Sequence, residues 1–265
     1  MEGPKMASSR APYPAHVTPR SDGIEPGVRL VDRRQRGAPV TPTPDPTLLG
    51  RVLQGEAVPR PPAWFMRQAG RYMADYRAIR KHTSFLELCH DPELCAEVTL
   101  QPIHRFGFDA AIVFSDILLP LESMGAELVF GKGMGPQFPT PIRTAAQVDA
   151  LTEFVPEQHL PEPMAAIRSF RRQSDVPILG FAGAPWTLAC YLIEGSGSKN
   201  WIEPKKMMWQ DPVTFGKLMD KLADAVGAHL EAQAQAGAAA VQLFDTWAGA
   251  LSPHDFQKWA LPAAR

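Results

Sequence analysis

The stretch DAAIVFSD, Asp109–Asp116, decides the fold. Its middle is a near-continuous apolar run, as expected of a strand buried on both faces, and it ends in a carboxylate. Two comparable runs follow: VPILGFAGA at Val176–Ala184 and AAVQLFDT at Ala239–Thr246. Upstream, Ala63–Arg67 reads as a shorter apolar strand. Helical patterns fill the intervals. Asp91-Pro92-Glu93 supplies an N-cap carboxylate and a proline at the first helical position, and Leu94, Val98, Ile103 and Phe106 give the following helix an apolar face. Pro161–Ser174 and Pro185–Ile193 read as helices as well. A longer helix starts at Asp211-Pro212, carries Phe215, Leu218, Met219, Leu222, Val226 and Leu230 at helical spacing, and ends at Gly237. Alternating strands and helices imply a parallel sheet, either doubly wound or closed as a (β/α) barrel. Arg67, Asp116 and Asp245-Thr246 each stand at the C-terminal end of an apolar strand, where barrels build their active sites. The expectation is an α/β chain with a (β/α)8 TIM-type barrel, present as an incomplete barrel with about the first four strands.

Composition narrows the function. With 265 residues, 45% hydrophobic, the chain can bury a sizeable core. A net charge of −1 argues against a general nucleic-acid or anionic-membrane binder, so any recognition of charge must be local. No apolar run reaches the roughly 18 residues of a membrane helix. Three widely placed cysteines, Cys89, Cys95 and Cys190, suit a reduced, cytoplasmic setting. Residues 1–45 are rich in proline and arginine and poor in aromatic residues, and read as a disordered extension. Residues 46–265 read as the partial barrel.

The candidate chemistry begins at WFMRQAGRYMADYRAIR, Trp64–Arg80. Arg67 and Arg71 stand four apart on a glycine-bearing turn, so two planar guanidiniums can receive several carboxylates at once. Asp116 must find a donor or stay wet, because an unpaired buried carboxylate is costly; capping the following turn would also explain it. His82, Cys89, His90 and Cys95 match no common zinc spacing, and Cys95 falls inside a helical pattern. GKGMG at Gly131–Gly135 lacks the context of a nucleotide loop and reads as the turn of a hairpin spanning Glu127–Pro141. EGSGSK, Glu194–Lys199, reads as a loop at the rim of the site.

WFMRQAGRYMADYR, VTLQPIHRFGFDAAIVFSDIL, GFAGAPWTLACYLIEGSGSK and VQLFDTWAGALSP together resemble the uroporphyrinogen decarboxylase family, from about Leu48 to Arg265. The resemblance implies a cofactor-free, metal-free enzyme of tetrapyrrole synthesis, cytoplasmic and homodimeric. It would turn the four acetate arms of uroporphyrinogen III into methyls, giving coproporphyrinogen III. By the same resemblance Arg67, Gln68, Ala69, Gly70 and Arg71 form the substrate loop, with Arg80 nearby and Tyr191 and Thr246 as further contacts. Asp116 would accept from the pyrrole N–H groups and stabilise charge in the reaction, and Arg67 would hold the departing carboxylate. The family pattern also includes a histidine late in the barrel and further strands, which this sequence lacks, so the chain by itself is expected to be inactive or unstable. Two other readings are a zinc- and corrinoid-linked methyltransferase of the same superfamily and a non-catalytic tetrapyrrole-binding module.

Overall fold

The computed structural model describes residues 47–131 and 135–265. The proline-rich stretch 1–45 and the tip of the GKGMG turn lie outside the described residues. Helix α1 (Leu48–Leu53) opens the described chain, and Thr47 caps it by accepting from Gly50 N. An extended segment and a turn lead to α2 (Ala74–Arg80) and α3 (Phe85–Cys89), the latter closed by a Ser84–Glu87 capping box. In α4 (Pro92–Phe106), Oδ1 of Asp91 accepts from the amides of Glu93 and Leu94, each at 3.0 Å. The helix stops at Gly107, whose φ of 66° is left-handed and favours glycine. There follow β1 (Ala111–Ile112), α5 (Leu119–Ser123), and an antiparallel hairpin of β2 (Val129–Phe130) and β3 (Pro136–Gln137). Next come α6 (Ala145–Ala150), α7 (Pro156–His159), α8 (Glu162–Gln173), β4 (Ile178–Gly183) and α9 (Pro185–Glu194). The order ends with α10 (Ile202–Gln210), α11 (Pro212–Gln235), β5 (Ala240–Phe244) and α12 (Pro253–Asp255), then a π turn over Phe256–Ala260 and α13 (Leu261–Ala264).

Strands β1, β4 and β5 form one parallel sheet in that order, with Ile112 opposite Leu179 and Leu179 opposite Ala240. Parallel neighbours need crossovers, and α8 and α11 lie on the chain between them. One apolar cluster fills the space between the sheet and α4 and α8, around Ile103, Val113, Ile167, Phe170 and Ile178. A larger one joins α5, α9, α10 and α11 around Trp186, Trp201, Phe215 and Leu222, all fully buried. The chain is thus α/β with a parallel sheet.

The expected strand at Ala63–Arg67 corrects the count of four. Among the described residues the parallel sheet has three strands, and this segment joins no ladder: residues 63–65 form no regular element, and Met66 and Arg67 are already in a turn. Pro61 and Pro62 lack the amide donors a ladder needs. The polar groups of Ala63 are spent on one residue: Asp109 N donates to the Ala63 carbonyl (2.9 Å), and Ala63 N donates to Asp109 Oδ2 (2.7 Å). Arg60 completes the arrangement by a two-pronged contact with the same carboxylate, at 2.6 and 2.8 Å. The hairpin expected at Glu127–Pro141 is present as β2 and β3, and the rim loop is tied to it, with Phe138 N donating to the Gly195 carbonyl at 2.7 Å.

Candidate active site

The C-terminal ends of the strands and the turn after Met66 enclose a cavity of about 760 Å³. Arg67, Gln68, Ala69, Gly70 and Arg71 line one side, Ser115, Asp116 and Ile117 the next, and Phe181, Phe244 and Thr246 the third. The turn is held from below rather than by a strand. Gln68 is buried, and its Nε2 donates to the Ala110 carbonyl at 2.7 Å, fastening the loop to the entry of β1. Tyr72 OH donates to the Gln68 carbonyl, and Met73 N to that of Gly70. With the turn anchored, the exposed side chains of Arg67 and Arg71 are left to face solvent and cavity.

Asp116 combines the two readings the sequence allows. Its Oδ1 accepts from Leu118 N at 2.9 Å, so it does cap the turn into α5, while the carboxylate also lines the cavity. Burial pushes this carboxyl above the usual carboxylate range; the Leu118 amide and the Arg67 guanidinium oppose that push. A desolvated carboxylate with acceptor capacity to spare is a receptor for N–H donors from a ligand. Thr246 lines the opposite wall after β5.

Two expected contacts stand apart from these lining residues. Arg80 donates to the Thr83 carbonyl, and its guanidinium lies 5.9 Å from the Phe85 ring centre. Tyr191, on α9, packs edge-on against Trp201 (5.5 Å) and Trp247 (6.1 Å). Burial pushes its phenol up, the Trp247 indole opposes this, and the charges of Asp116 and Arg67 act on it in opposite senses. Tyr191 therefore feels the site's charges from behind its lining. Sequence reading missed Tyr76, a buried residue on the cavity wall whose phenol is raised by burial and lowered by Arg80. It also missed Thr187, whose hydroxyl donates to Asp245 Oδ1 (2.7 Å) and accepts from Trp247 N (3.2 Å), fixing the loop that carries Thr246. Both lie within stretches that resemble the family, but at positions that look like ordinary helix-core residues.

The four residues weighed as a zinc set do not converge. Cys95 Sγ donates to the Leu88 carbonyl at 3.1 Å, and burial pushes the thiol up to about 12. Burial also raises Cys89, His90 sits between Glu122 and Glu162, and His82 is exposed. Among the described residues no group of three or more His, Cys, Asp or Glu is placed to hold a metal ion. Nor is any described helix long and apolar enough to cross a membrane.

The chain is 52% identical over 213 residues to a uroporphyrinogen decarboxylase of Syntrophotalea carbinolica, covering 80% of this chain and 62% of the relative. It is 50% identical over 217 residues to that of Carboxydothermus hydrogenoformans, covering 81% and 62%, and 51% identical over 213 residues to that of Geobacter metallireducens, covering 80% and 62%. The chain thus spans about 62% of the length of these curated relatives. Among solved structures, a methyltransferase from Methanosarcina mazei shares the fold with a TM-score of 0.67 at 22% identity, over 82% of this chain and 65% of that one. The family profile described as uroporphyrinogen decarboxylase (URO-D) matches residues 44–265, and the chain belongs to that family.

Proposed function

We propose that this chain carries the substrate-binding end of a uroporphyrinogen decarboxylase, which converts the four acetate side chains of uroporphyrinogen III to methyls and yields coproporphyrinogen III. One observation carries the reading: a half-buried carboxylate, Asp116, and two exposed guanidiniums, Arg67 and Arg71, line the same cavity. A flexible macrocycle with pyrrole N–H donors at its centre and eight carboxylates at its rim is complementary to that arrangement. Asp116 accepts from the pyrrole N–H groups, while the arginines take carboxylates, each charge-assisted bond contributing about 1.5–3 kcal/mol. Phe181 and Phe244, 5.7 Å apart, give the ring faces an apolar wall.

In each round a proton adds to a pyrrole ring carbon beside the one bearing the acetate. The ring becomes cationic, the bond to the carboxylate breaks, and its electron pair passes into the ring as carbon dioxide leaves. Protonation of the resulting exocyclic methylene and loss of the ring proton give the methyl, for a net uptake of one proton per carbon dioxide. Asp116 stabilises the cationic ring more than the neutral one, which is the differential binding catalysis needs. Arg67 orients the departing carboxylate; its charge never leaves it, so it is not the proton donor.

The same reading makes the sheet the first arc of a (β/α)8 barrel spanning residues 46–265, with residues 1–45 as a separate extension, and gives a cytoplasmic, cofactor-free homodimer. Family likeness supports these points, and light scattering of the purified protein tests the dimer. Incubation of the natural full-length protein with uroporphyrinogen III, followed by separation of products by carboxylate number, separates turnover from mere binding. Stepwise appearance of seven-, six-, five- and four-carboxylate products is expected, and unchanged substrate refutes the proposal.

A further inference from the structure

Central strand β4 alternates its partners. Ala111 N donates to the Pro177 carbonyl (2.9 Å) and Val113 N to that of Leu179 (3.0 Å). In contrast, Ala239 N donates to the Ile178 carbonyl and Ala184 N to that of Phe244, both at 2.8 Å. Odd-numbered peptide groups of β4 therefore face β1 and even-numbered ones face β5. By that alternation Phe181 belongs to the β1 side, yet the β1 ladder has ended at Ile112–Leu179. A side chain takes the vacated place. Phe181 N donates to Gln233 Oε1, and Gln233 Nε2 donates to the Phe181 carbonyl, both at 2.9 Å. Gln233 comes from α11, is 1% exposed, and reaches the strand only because residue 180 is glycine; a Cβ there would lie 2.7 Å from Gln233 Oε1.

The end of β1 is held by a helix too, on the edge that faces away from β4. Phe114 N donates to Thr99 Oγ1 (2.9 Å), and the Thr99 hydroxyl donates to the Cys95 carbonyl (2.7 Å) within α4. Gln233 thus replaces strand pairing on the side of β4 that β1 has left, and Thr99 ties the end of β1 to α4 on its other edge. That parting is where Asp116 and Phe181 come to line the cavity. Buried peptide groups do not stay unpaired, so loss of either side chain drives the strand ends to find other partners and moves the Asp116 backbone with them.

We propose that Thr99 and Gln233 are positioning residues that anchor the C-terminal ends of β1 and β4, one each, and so fix Asp116 and Phe181 against the substrate. This rests on the decarboxylase reading. The arginines that hold carboxylates lie on a separate turn, and Asp116 favours the cationic ring over the neutral one, so the effect falls more on kcat than on KM. The test is steady-state turnover of uroporphyrinogen III by the natural full-length protein, with Thr99→Val, Thr99→Ser and Gln233→Met compared to the parent. Thr99→Val and Gln233→Met are expected to lower kcat by about tenfold or more, since a shift of 1 Å can cost a hundredfold, with KM within about threefold. Thr99→Ser, which keeps the hydroxyl, is expected to retain kcat within about threefold. Parental kcat in folded Thr99→Val, or equal losses in Thr99→Val and Thr99→Ser, overturns the proposal while leaving the decarboxylase reading in place. Should Gln233→Met fail to fold, the Thr99 pair decides. A folded parent that releases no carbon dioxide overturns both together.

Discussion

At the scale of single residues, Asp116 holds two duties that pull against each other. Capping the turn into α5 needs only one oxygen, and the Leu118 amide takes it. The other duty leaves a carboxylate in a desolvated wall, where burial raises its pKa. The sign follows directly. A carboxyl with a folded pKa above its unfolded value stabilises the fold only while protonated, and this contribution is lost as pH rises through the shifted value. Ionised Asp116 is thus a standing cost to the fold, one that the proposed pyrrole N–H donors would offset. If the ionised form is the one that works, kcat/KM should fall on acidification along a limb lying above the ordinary aspartate value of about 3.9. A pH–rate profile checks this, and a limb at or below the ordinary value contradicts it. Asp116 was legible in the sequence because a polar residue closing an apolar strand is conspicuous. Tyr76 and Thr187 were not, because a helix position reveals its neighbours only once the chain has folded.

At the scale of elements, the helices were read closely because their signals are local. Asp91 and Asp211 both cap the helices their prolines announced, and Gly237 ends α11 with a left-handed φ of 109°. Strands depend on partners elsewhere in the chain, so Ala63–Arg67 looked like a strand and is a tether, tied at Ala63, that ends in a turn. The same dependence hid the role of Gly180. Its missing Cβ admits the Gln233 amide to the Phe181 peptide, a contact between residues 52 apart that no local pattern reveals. Gly180→Ala is expected to destabilise the fold by about 1–3 kcal/mol, the usual cost of overpacking a filled site. Urea denaturation reads this as a lower midpoint, and an unchanged midpoint would mean that Gln233 moves aside freely.

For the molecule as a whole, the alternation of elements announced the parallel sheet, but not how its third strand sits. Strand β5 keeps Val241 exposed and Gln242–Phe244 only half-buried, whereas β4 is almost wholly buried. Stability across the whole fold has a separate acid sensitivity at His229. This side chain is buried on α11 against Phe154, its Nδ1 has no partner among the described residues, and burial lowers its pKa to about 4. The unfolded chain binds the proton near pH 6.5 and the folded one resists it, so stability falls as pH drops from about 6.5 to 4, by up to about 3 kcal/mol. His229→Leu should flatten that part of a plot of denaturation midpoint against pH, and an unchanged slope would exonerate His229. The central claim is that Asp116 faces the substrate and favours its cationic ring. Turnover of uroporphyrinogen III by Asp116→Asn in the natural full-length protein tests it most directly. A fall in kcat of about a hundredfold or more is expected with a folded protein, and near-parental kcat would contradict the account.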